Sequence, residues 1–315
     1  MTSDRKPILS ILVPIYNWDI SLLLDKLAED IHSGKFNDMV EVIVIDDCST
    51  DDKIRTTNGK KVLEYRNTGA NIKYSELLKN LGRALTRNML AEQASGKFLL
   101  FLDADVLPDQ TDFLRMYIEY ASKNEWDVVC GGLSSIHRKM VDKKYDFSFY
   151  WNTKIVAKAT EVRNKTPWRY LWTSNIMVRK SVFQELPFDE RFSGYGFEDS
   201  EWGIRLSNKY KVLHIDNTVS HLGLVTKETT YKKMRDSIEN YVLLAKLHPD
   251  AFQETRIHRI AGRLMSFNNS LLDIMDTVLR KMFSSIKNNK ISFLIFQFNK
   301  AVLFAKQLKK NWGAN

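Results

Sequence analysis

The sequence predicts an α/β fold built on a mostly parallel, doubly wound sheet with helices on its faces. Short apolar runs bounded by polar residues, ILSILVPIY (8–16) and VEVIVID (40–46), are typical of buried parallel strands. Segments with helical spacing separate such runs through the first 130 residues, and this alternation favours βαβ units. Ligands bind such sheets beyond the carboxyl ends of the strands, so polar residues that follow strands are the first candidates for a site.

The elements can be justified in chain order. In SLLLDKLAEDIH, leucine and isoleucine recur at helical spacing, at positions 23, 24, 27 and 31. ALTRNMLAEQAS has a second helical pattern and precedes Gly96, a helix stop ahead of the next apolar run. The predicted elements are a strand over 8–16, a helix over 21–32, a strand over 40–46, a helix over 84–95, a strand over 97–102, a helix over 110–123 and a strand over 127–132. Residues 133–190 are then rich in aromatic residues, and a helical pattern dominates from residue 228.

Length and composition limit the class of protein. At 315 residues, with 44% hydrophobic and 27% charged residues, the chain has the make-up of a globular protein of one large domain or two. Cys48 and Cys130 supply neither a disulfide framework nor a zinc-ligand pattern, which fits a reducing cytosol. No apolar stretch reaches the roughly 18 residues of a membrane span, and ILSILVPIY lacks a signal-peptide cleavage site. We therefore predict a cytoplasmic protein.

The positive charge is concentrated in the C-terminal part. Residues 251–315 hold eleven Lys and Arg against three Asp and Glu, whereas residues 1–250 hold 36 against 35. Partners for such a segment are an anionic membrane surface or nucleic acid. Nucleic acid ranks last, because large apolar residues interleave with the charges. The chemistry is therefore expected in the nearly neutral body of the chain.

Two acids end a strongly apolar strand in KFLLFLDADVLPD (97–109). Alternate residues of an extended strand point the same way, so Asp103 and Asp105 can face one ligand. A hard divalent cation such as Mg2+ or Mn2+ would relieve their repulsion and keep open positions for phosphate oxygens. The alternative is a solvated pair that starts a turn at Pro108. His221, in NTVSHLG, is the best further metal-ligand candidate among the histidines, unless its role is structural.

Two other segments suggest nucleotide contacts. In VIVIDDCSTD (42–51), Asp47 at a strand end could accept hydrogen bonds from a base or ribose, or belong to a turn that caps the next helix. In NLGRALTRNML (80–90), Arg83 and Arg87 lie about one helical turn apart and could meet phosphate, or be surface arginines. Polar clusters thus follow predicted strands at several points, which argues for one shared site.

FDERFSGYGFEDSEWGIRL (188–206) holds candidates for acid–base chemistry. Gly194 and Gly196 make a flexible turn ahead of Glu198 and Asp199, which open a predicted helix. Acids at a helix start can be mere capping and dipole partners. A glycine–aromatic–glycine loop can also aim a carboxylate into a pocket, where it can act as a general base.

Taken together, these segments resemble a family 2 glycosyltransferase of the GT-A fold. The matching signatures are VPIYN (13–17), VIDDCSTD (44–51), NLGRALTRN (80–88), GKFLLFLDADV (96–106) and GYGFEDSEWGIRL (194–206). They follow one another in the family's order across about residues 8–225. The last is also similar to the segment that supplies the base in galactosyltransferases and chondroitin-polymerase-like enzymes.

The resemblance implies a domain organisation and a role for individual residues. A GT-A domain would span 1–227, with a nucleotide-binding half to about 132 and an acceptor-binding half over 133–227, before a basic helical extension over 228–315. The residues implied to hold the UDP-sugar are Pro14, Tyr16, Asp47, Arg83, Asp103 and Asn175. Those implied to bind Mn2+ or Mg2+ are Asp105, Asp103 and His221. Asp199 would be the catalytic base, and Glu198 would orient hydroxyls.

The implied reaction is inverting transfer of a hexose or N-acetylhexosamine from a UDP-sugar to a saccharide hydroxyl, with a β-linked product. Such an enzyme would serve bacterial surface polysaccharide synthesis, and UDP-galactose or UDP-N-acetylgalactosamine is slightly favoured over the gluco donors. One alternative is a sugar-phosphate nucleotidyltransferase, although VPIYNWDI lacks that class's glycine-rich, lysine-ended loop. A non-catalytic sugar-nucleotide or glycan-binding protein is another, against which the intact Glu198–Asp199 pair argues.

The apolar segment ISFLIFQFNKAVLF (291–304) allows two interpretations. With about 14 residues and a lysine inside, it is too short to span a bilayer. It could form a helix that packs on the catalytic domain. It could instead lie in the interface of an anionic membrane, which would suit a lipid-linked acceptor on the inner face of a bacterial membrane. The aromatic residues then expected near acyl chains are Phe293, Phe296, Phe298 and Trp312.

Overall fold

The computed structural model describes residues 6–137, 141–253 and 255–312 and divides into two compact units. The first unit holds the described residues of 1–139, 152–190 and 202–223. The second holds those of 140–151, 191–201 and 224–315. This division differs from the predicted boundary at residue 227, because two segments of the predicted GT-A domain group with the C-terminal helices.

Strands and helices alternate through the first part of the chain, and helices follow. The strands are Leu9–Ile15 (β1), Val40–Asp46 (β2), Ile72–Glu76 (β3), Phe98–Leu102 (β4), Val106–Pro108 (β5), Val128–Cys130 (β6), Leu133–Ser134 (β7), Asn175–Arg179 (β8), Val212–His214 (β9) and Val219–His221 (β10). The α-helices are Ser21–Gly34 (α1), Asp52–Asn67 (α2), Arg83–Gln93 (α3), Phe113–Lys123 (α4), Asp146–Trp151 (α5), Thr160–Lys165 (α6), Lys180–Glu185 (α7), Glu198–Lys209 (α8), Lys227–Asp236 (α9), Ile238–Leu247 (α10), Pro249–Phe252 (α11), Arg256–Leu264 (α12), Asn269–Ser285 (α13) and Asn289–Trp312 (α14). Single-turn 3-10 helices lie at Lys143–Tyr145 and Pro167–Tyr170, and a π-helix at Asn152–Val156.

The main sheet lies in the first unit and has the order β3-β2-β1-β4-β8-β6-β9. Strands β1 to β4 run parallel, whereas β8 is antiparallel to both β4 and β6. Alternate residues of β1 enter different apolar clusters, Ile11 in one and Leu12 in the other. Both faces of the strand are therefore covered, which is why all of its residues except Ser10 are apolar.

A small second sheet positions part of the site. It has the order β5-β10-β7, with β10 antiparallel to β5, and pairs His221 with Val106. Because Val106 directly follows Asp105, this register carries His221 to the end of β4. The Leu222 N–H donates to the Asp105 carbonyl oxygen at 2.7 Å and continues the pairing beyond the strand.

Most predicted elements are confirmed with shifts of one to three residues at their ends. The helix expected over 84–95 is α3, and the one expected over 110–123 begins at Phe113. Helix α2 and strand β3 were not predicted, because their sequences are mostly polar. Asp51 caps α2 by accepting hydrogen bonds from the backbone N–H groups of Lys53 and Ile54.

The second unit is helical and has an aromatic core. Phe147 packs edge-on against Phe283, with ring centroids 4.8 Å apart, and Phe296 is only 6% exposed. The expectation that Phe296 lies among acyl chains is therefore wrong, since this side chain packs within the unit. Phe293 is partly buried against Trp151, and the Trp312 side chain lies outside the described residues.

Helix α14 includes the apolar segment predicted over 291–304. In the described ranges, no helix combines the length and the apolar character that crossing a bilayer requires.

Candidate active site

Asp103 follows β4 directly and is held by a buried arginine. The Arg87 guanidinium, 1% exposed, donates to Asp103 Oδ1 at 2.8 Å, and the Ser174 hydroxyl donates to Oδ2 at 2.7 Å. Burial raises the pKa of Asp103, but Arg87, Arg83 and Ser174 outweigh it and hold the pKa at about 2. The alternative that Arg87 is a surface arginine is therefore wrong, because its side chain is buried against Asp103.

Asp105, two residues on, faces a histidine instead. Its Oδ2 lies 3.2 Å from His221 Nε2, and both side chains are about one quarter exposed. The Asn152 side-chain amide lies 3.1 Å from His221 Nδ1 and fixes the orientation of the ring. A partner on the far ring nitrogen is what metal-binding histidines usually have.

Gly223 completes the surroundings of Asp105. A Cβ at this position would lie 2.0 Å from Asp105 Oδ2 and 3.0 Å from its Cγ, so only glycine leaves room for the carboxylate. The pair Asp105–His221 therefore fits a cation that takes two protein ligands and keeps positions for phosphate oxygens and water. No group of three His, Cys, Asp or Glu side chains arranged to hold a metal occurs within 6–137, 141–253 and 255–312. The three-ligand set that includes Asp103 thus remains a prediction.

Asp47 organises the start of α3. Its two carboxylate oxygens accept hydrogen bonds from the backbone N–H groups of Leu81 at 2.6 Å and Gly82 at 2.9 Å. Burial raises the pKa of Asp47, while these N–H groups act in the opposite direction. Contact with a nucleotide would have to use the remaining lone pairs, so this role of Asp47 stays a prediction.

The other predicted nucleotide residues differ in exposure. Tyr16 is 51% exposed directly after β1, where its ring is accessible to a base. Pro14 is half-buried within β1, and Arg83 is exposed at the first residue of α3. Pro14 and Tyr16 lie near the carboxyl end of β1, and Arg83 lies at the start of α3, as expected for residues of a nucleotide site. Their contacts with a ligand remain predictions.

Asn175, which was expected to help hold the UDP-sugar, is buried and engaged in hydrogen bonds. The side chain is 1% exposed; its Oδ1 accepts from the Tyr117 hydroxyl at 2.6 Å, and its Nδ2 donates to the carbonyl oxygens of Gly132 and Asn217. These bonds tie β8 to two neighbouring loops. The structure thus argues against contact between Asn175 and a donor sugar.

Glu198 and Asp199 open helix α8 in the second unit. The preceding residue, Phe197, has a φ of 73°, a conformation that is costly for a bulky side chain and typical of functional loops. Asn240 of α10 donates from Nδ2 to the carbonyl oxygens of Ser193 at 2.9 Å and Gly196 at 2.8 Å. The loop conformation is therefore imposed by the C-terminal helices.

A partly buried lysine contacts the same loop. Lys300 of α14 has its Nζ 4.6 Å from the ring centroid of Phe197 and 4.5 Å from that of Tyr241. Burial lowers the pKa of Lys300 to about 8. The basic extension thus contributes side chains to the loop that carries the predicted acids.

A model of glycosyl transferase family 2 matches residues 10–187, which is more than half of the chain. The chain belongs to glycosyl transferase family 2. The match covers the first four signature segments that suggested the family. This membership sets aside the sugar-phosphate nucleotidyltransferase alternative.

Three curated relatives of this family 2 chain are named as glycosyltransferases of different kinds. Staphylococcus aureus poly(ribitol-phosphate) beta-N-acetylglucosaminyltransferase TarS is 41% identical over 100 residues, 30% of this chain and 16% of that protein. The putative teichuronic acid biosynthesis glycosyltransferase TuaG of Bacillus subtilis is 32% identical over 106 residues, 33% and 38% of the two chains. Validoxylamine A glucosyltransferase of Streptomyces hygroscopicus is 30% identical over 230 residues, 65% and 49%. The chain thus spans less than half the length of each.

Solved structures confirm the fold class. Staphylococcus aureus TarS 1–349 in complex with UDP has a TM-score of 0.55 at 20% identity, over 98% of this chain and 92% of that one. Mannosyltransferase PcManGT from Pyrobaculum calidifontis, in complex with GDP-Man and Mn2+, has a TM-score of 0.58 at 16% identity, over 99% and 89%. At these identities the likeness establishes the GT-A fold with a helical C-terminal region, and no more.

Several supporting residues at these positions were not identified from the sequence. They are Ser174, Asn152, Gly223, Asn240 and Lys300. Each acts through a contact between distant parts of the chain, such as Ser174 with Asp103, 71 residues away. Only Gly223 had a local signal, since a glycine two residues after a candidate metal ligand suggests a close approach.

The buried Arg87–Asp103 pair gives a stability prediction. Arg87→Met leaves Asp103 without its countercharge, so the free energy of unfolding should decrease by about 3–5 kcal/mol at pH 7. The pKa of Asp103 is below its ordinary value, so the pair stabilises the fold above about pH 4 and loses that contribution as pH decreases toward 2. The difference in free energy of unfolding between wild type and Arg87→Met, measured by urea unfolding, should therefore become smaller below about pH 4. Arg55→Met, which removes exposed ion pairs to Asp52 and Glu76, should cost no more than about 1 kcal/mol; equal losses in both variants would contradict the prediction.

The space at Gly223 gives a second prediction. Gly223→Ala should displace the Asp105 carboxylate from His221 and weaken Mn2+ binding, measured by calorimetry in the presence of UDP, by about 10-fold or more. The control is Gly59→Ala in α2, where a Cβ meets nothing within 4 Å. Unchanged Mn2+ affinity in a folded Gly223→Ala protein would exclude Asp105 as a ligand.

Proposed function

We propose that this chain transfers a hexose or N-acetylhexosamine from a UDP-sugar to a saccharide hydroxyl, with inversion and with the help of Mn2+ or Mg2+. The observation that carries the proposal is that Asp105 Oδ2 lies 3.2 Å from His221 Nε2, in a space that the absence of a side chain at Gly223 leaves open. The nearby Asp103 is already paired with Arg87. Of the two strand-end acids, only Asp105 has no arginine partner within the described residues. A cation there would complete its charge balance.

The residues at the strand ends would bind the donor. Tyr16 offers an exposed ring to the uracil base, and the Asp47-anchored start of α3 lies at the carboxyl end of β2. Asp105 and His221 would hold the metal, which when bound stabilises negative charge on the leaving diphosphate. Arg87 and Ser174 keep Asp103 ionised and fixed in orientation.

Asp199 would accept the proton of the acceptor hydroxyl, and Glu198 would orient hydroxyl groups. Glu198 is 4% exposed and Asp199 is half-buried in the second unit. The strained Phe197 and the two Asn240 hydrogen bonds support these roles, because a general base needs a fixed direction. Proton removal by Asp199 lets the acceptor oxygen attack the anomeric carbon as the bond to UDP breaks.

Named relatives support a setting in bacterial surface polysaccharide synthesis. TarS is named for N-acetylglucosamine transfer to poly(ribitol-phosphate), and it has been solved in complex with UDP and with UDP-GlcNAc. TuaG is named for teichuronic acid biosynthesis. A UDP-sugar donor for this chain is thus supported, and UDP-N-acetylglucosamine joins the galacto donors at the head of the panel to be screened.

UDP release with a panel of UDP-sugars and saccharide acceptors tests the proposal. EDTA should abolish release and Mn2+ should restore it. Asp199→Asn should keep donor affinity but lower turnover about 10²–10⁴-fold, the usual contribution of a positioned base. Asp250→Asn, which changes an exposed acid at another helix start of the second unit, should have wild-type turnover. Near-normal turnover of Asp199→Asn would exclude it as base, and turnover insensitive to EDTA would exclude the metal.

Asn240 should act as a positioning residue. Asn240→Ala removes both hydrogen bonds to the loop and should lower kcat about 10-fold or more while KM for the UDP-sugar stays within about two-fold. Asn268→Ala is a matched control, because it removes the N-cap of α13 in the same unit at a cost of about 1 kcal/mol. If both variants lower Tm equally and neither lowers kcat, Asn240 is only structural.

A further inference from the structure

The α13–α14 hairpin exposes a row of apolar side chains. Ile274, Val278 and Met282 recur every fourth residue of α13 and are 60%, 48% and 42% exposed. Residues four apart lie on one face of a helix, so these side chains form a continuous stripe. The core face of the same helix holds Leu272 and Phe283, which are buried.

Helix α14 extends this exposure at its beginning. Ile291 and Leu294, one turn apart, are 48% and 55% exposed. Farther along, Ala301, Val302 and Phe304 are fully buried. Among the side chains of α14 that the structure describes, the exposed large apolar ones thus lie at the end that adjoins the α13–α14 connection.

The charged residues on both sides of the α13–α14 connection are basic. No Asp or Glu follows Asp276, whereas eight Lys and Arg do. Lys281, Lys287 and Lys290 are exposed on either side of the connection, and no salt bridge to them forms within the described residues. Solvent-accessible apolar side chains are therefore interleaved with cations that lack carboxylate partners.

Exposed apolar side chains beside lysines favour some binding partners over others. A second copy of the chain would use the same patch on both sides of a two-fold axis and bring lysines against lysines. Like charges at an interface are unfavourable. An anionic bilayer supplies phosphate groups for the lysines and an interfacial zone for the apolar side chains at once.

We propose that the α13–α14 hairpin docks on an anionic lipid bilayer. The exposed side chains of Val278, Met282, Ile291 and Leu294 enter the headgroup–acyl boundary, and Lys281, Lys287 and Lys290 contact lipid phosphates. The hairpin lies on the membrane and does not cross it. The location differs from the aromatic part of α14 expected from the sequence, because Phe296 is buried.

Vesicle flotation of the full chain tests the lysines. Binding to vesicles of 70:30 phosphatidylcholine and phosphatidylglycerol should exceed binding to pure phosphatidylcholine and should weaken in 0.5 M salt. Combined substitution of Lys281, Lys287 and Lys290 by Glu should weaken binding on the order of 100-fold. Substitution of Lys60, Lys97 and Lys123 by Glu alters the net charge equally from exposed positions elsewhere, and should leave most of the binding intact.

The apolar side chains are tested separately. Substitution of Val278, Met282, Ile291 and Leu294 by Ser should weaken binding to anionic vesicles about 10-fold or more, with circular dichroism unchanged because the side chains are exposed. Equal wild-type binding to both vesicle types would overturn the proposal, as would wild-type binding by the hairpin lysine variant. If sedimentation velocity instead shows a wild-type oligomer that the Ser variant dissociates, without vesicle binding, the surface belongs to a second copy.

Discussion

The constraint on which the first unit depends is negative charge at the end of a fully buried strand. Every residue of β4 is buried, and Asp103 follows immediately. A carboxylate so close to the core needs a fixed countercharge, which Arg87 supplies from α3. The direction of α3 is in turn set by Asp47, whose oxygens hold the N–H groups of Leu81 and Gly82 at the start of the helix. The acids that follow β2 and β4, the two strands on either side of β1, are therefore linked through helix α3. Asp47 positions the start of this helix, and Arg87 of the helix neutralises Asp103.

This linkage gives the two acids after β4 different environments. Asp103 has both oxygens engaged and a pKa held at about 2. Asp105 faces only a histidine, in a space that Gly223 keeps open. A spacing of two residues in extended backbone aims both carboxylates to one side, but the partners that surrounding elements supply decide what each can do. Here the arginine fixes one carboxylate in place, and the β5–β10 pairing leaves the other accessible to a ligand.

The sequence predicted the parallel strands, the main helices and the acids at the strand ends, because these features have local signals: apolar runs, helical spacing and turn chemistry. It did not predict which arginine meets Asp103. Arg83 and Arg87 lie on the same helix face in the sequence pattern, and only the packing of α3 on the sheet leaves Arg83 exposed and buries Arg87. The hydrogen bonds of Asn175 were not predicted for the same reason: its three partners come from residues 42 to 58 positions away. Long-range pairing of polar groups carries no periodic signal along the chain.

The positive charge of the C-terminal extension likewise separates into groups that its composition cannot distinguish. Lys300 is enclosed by Phe197 and Tyr241, and burial lowers its pKa to about 8. Lys227, which directly precedes the extension, donates to the Phe283 carbonyl oxygen and the Ser292 hydroxyl oxygen of the extension, and burial lowers its pKa too. These lysines contact residues within the unit that carries Glu198 and Asp199, whereas Lys281, Lys287 and Lys290 near the α13–α14 connection are exposed. Removing the whole extension would therefore abolish both the contacts that Lys300 makes with the loop and any surface contact of the exposed lysines. The function of either group can be tested only by substitutions that leave the other group intact.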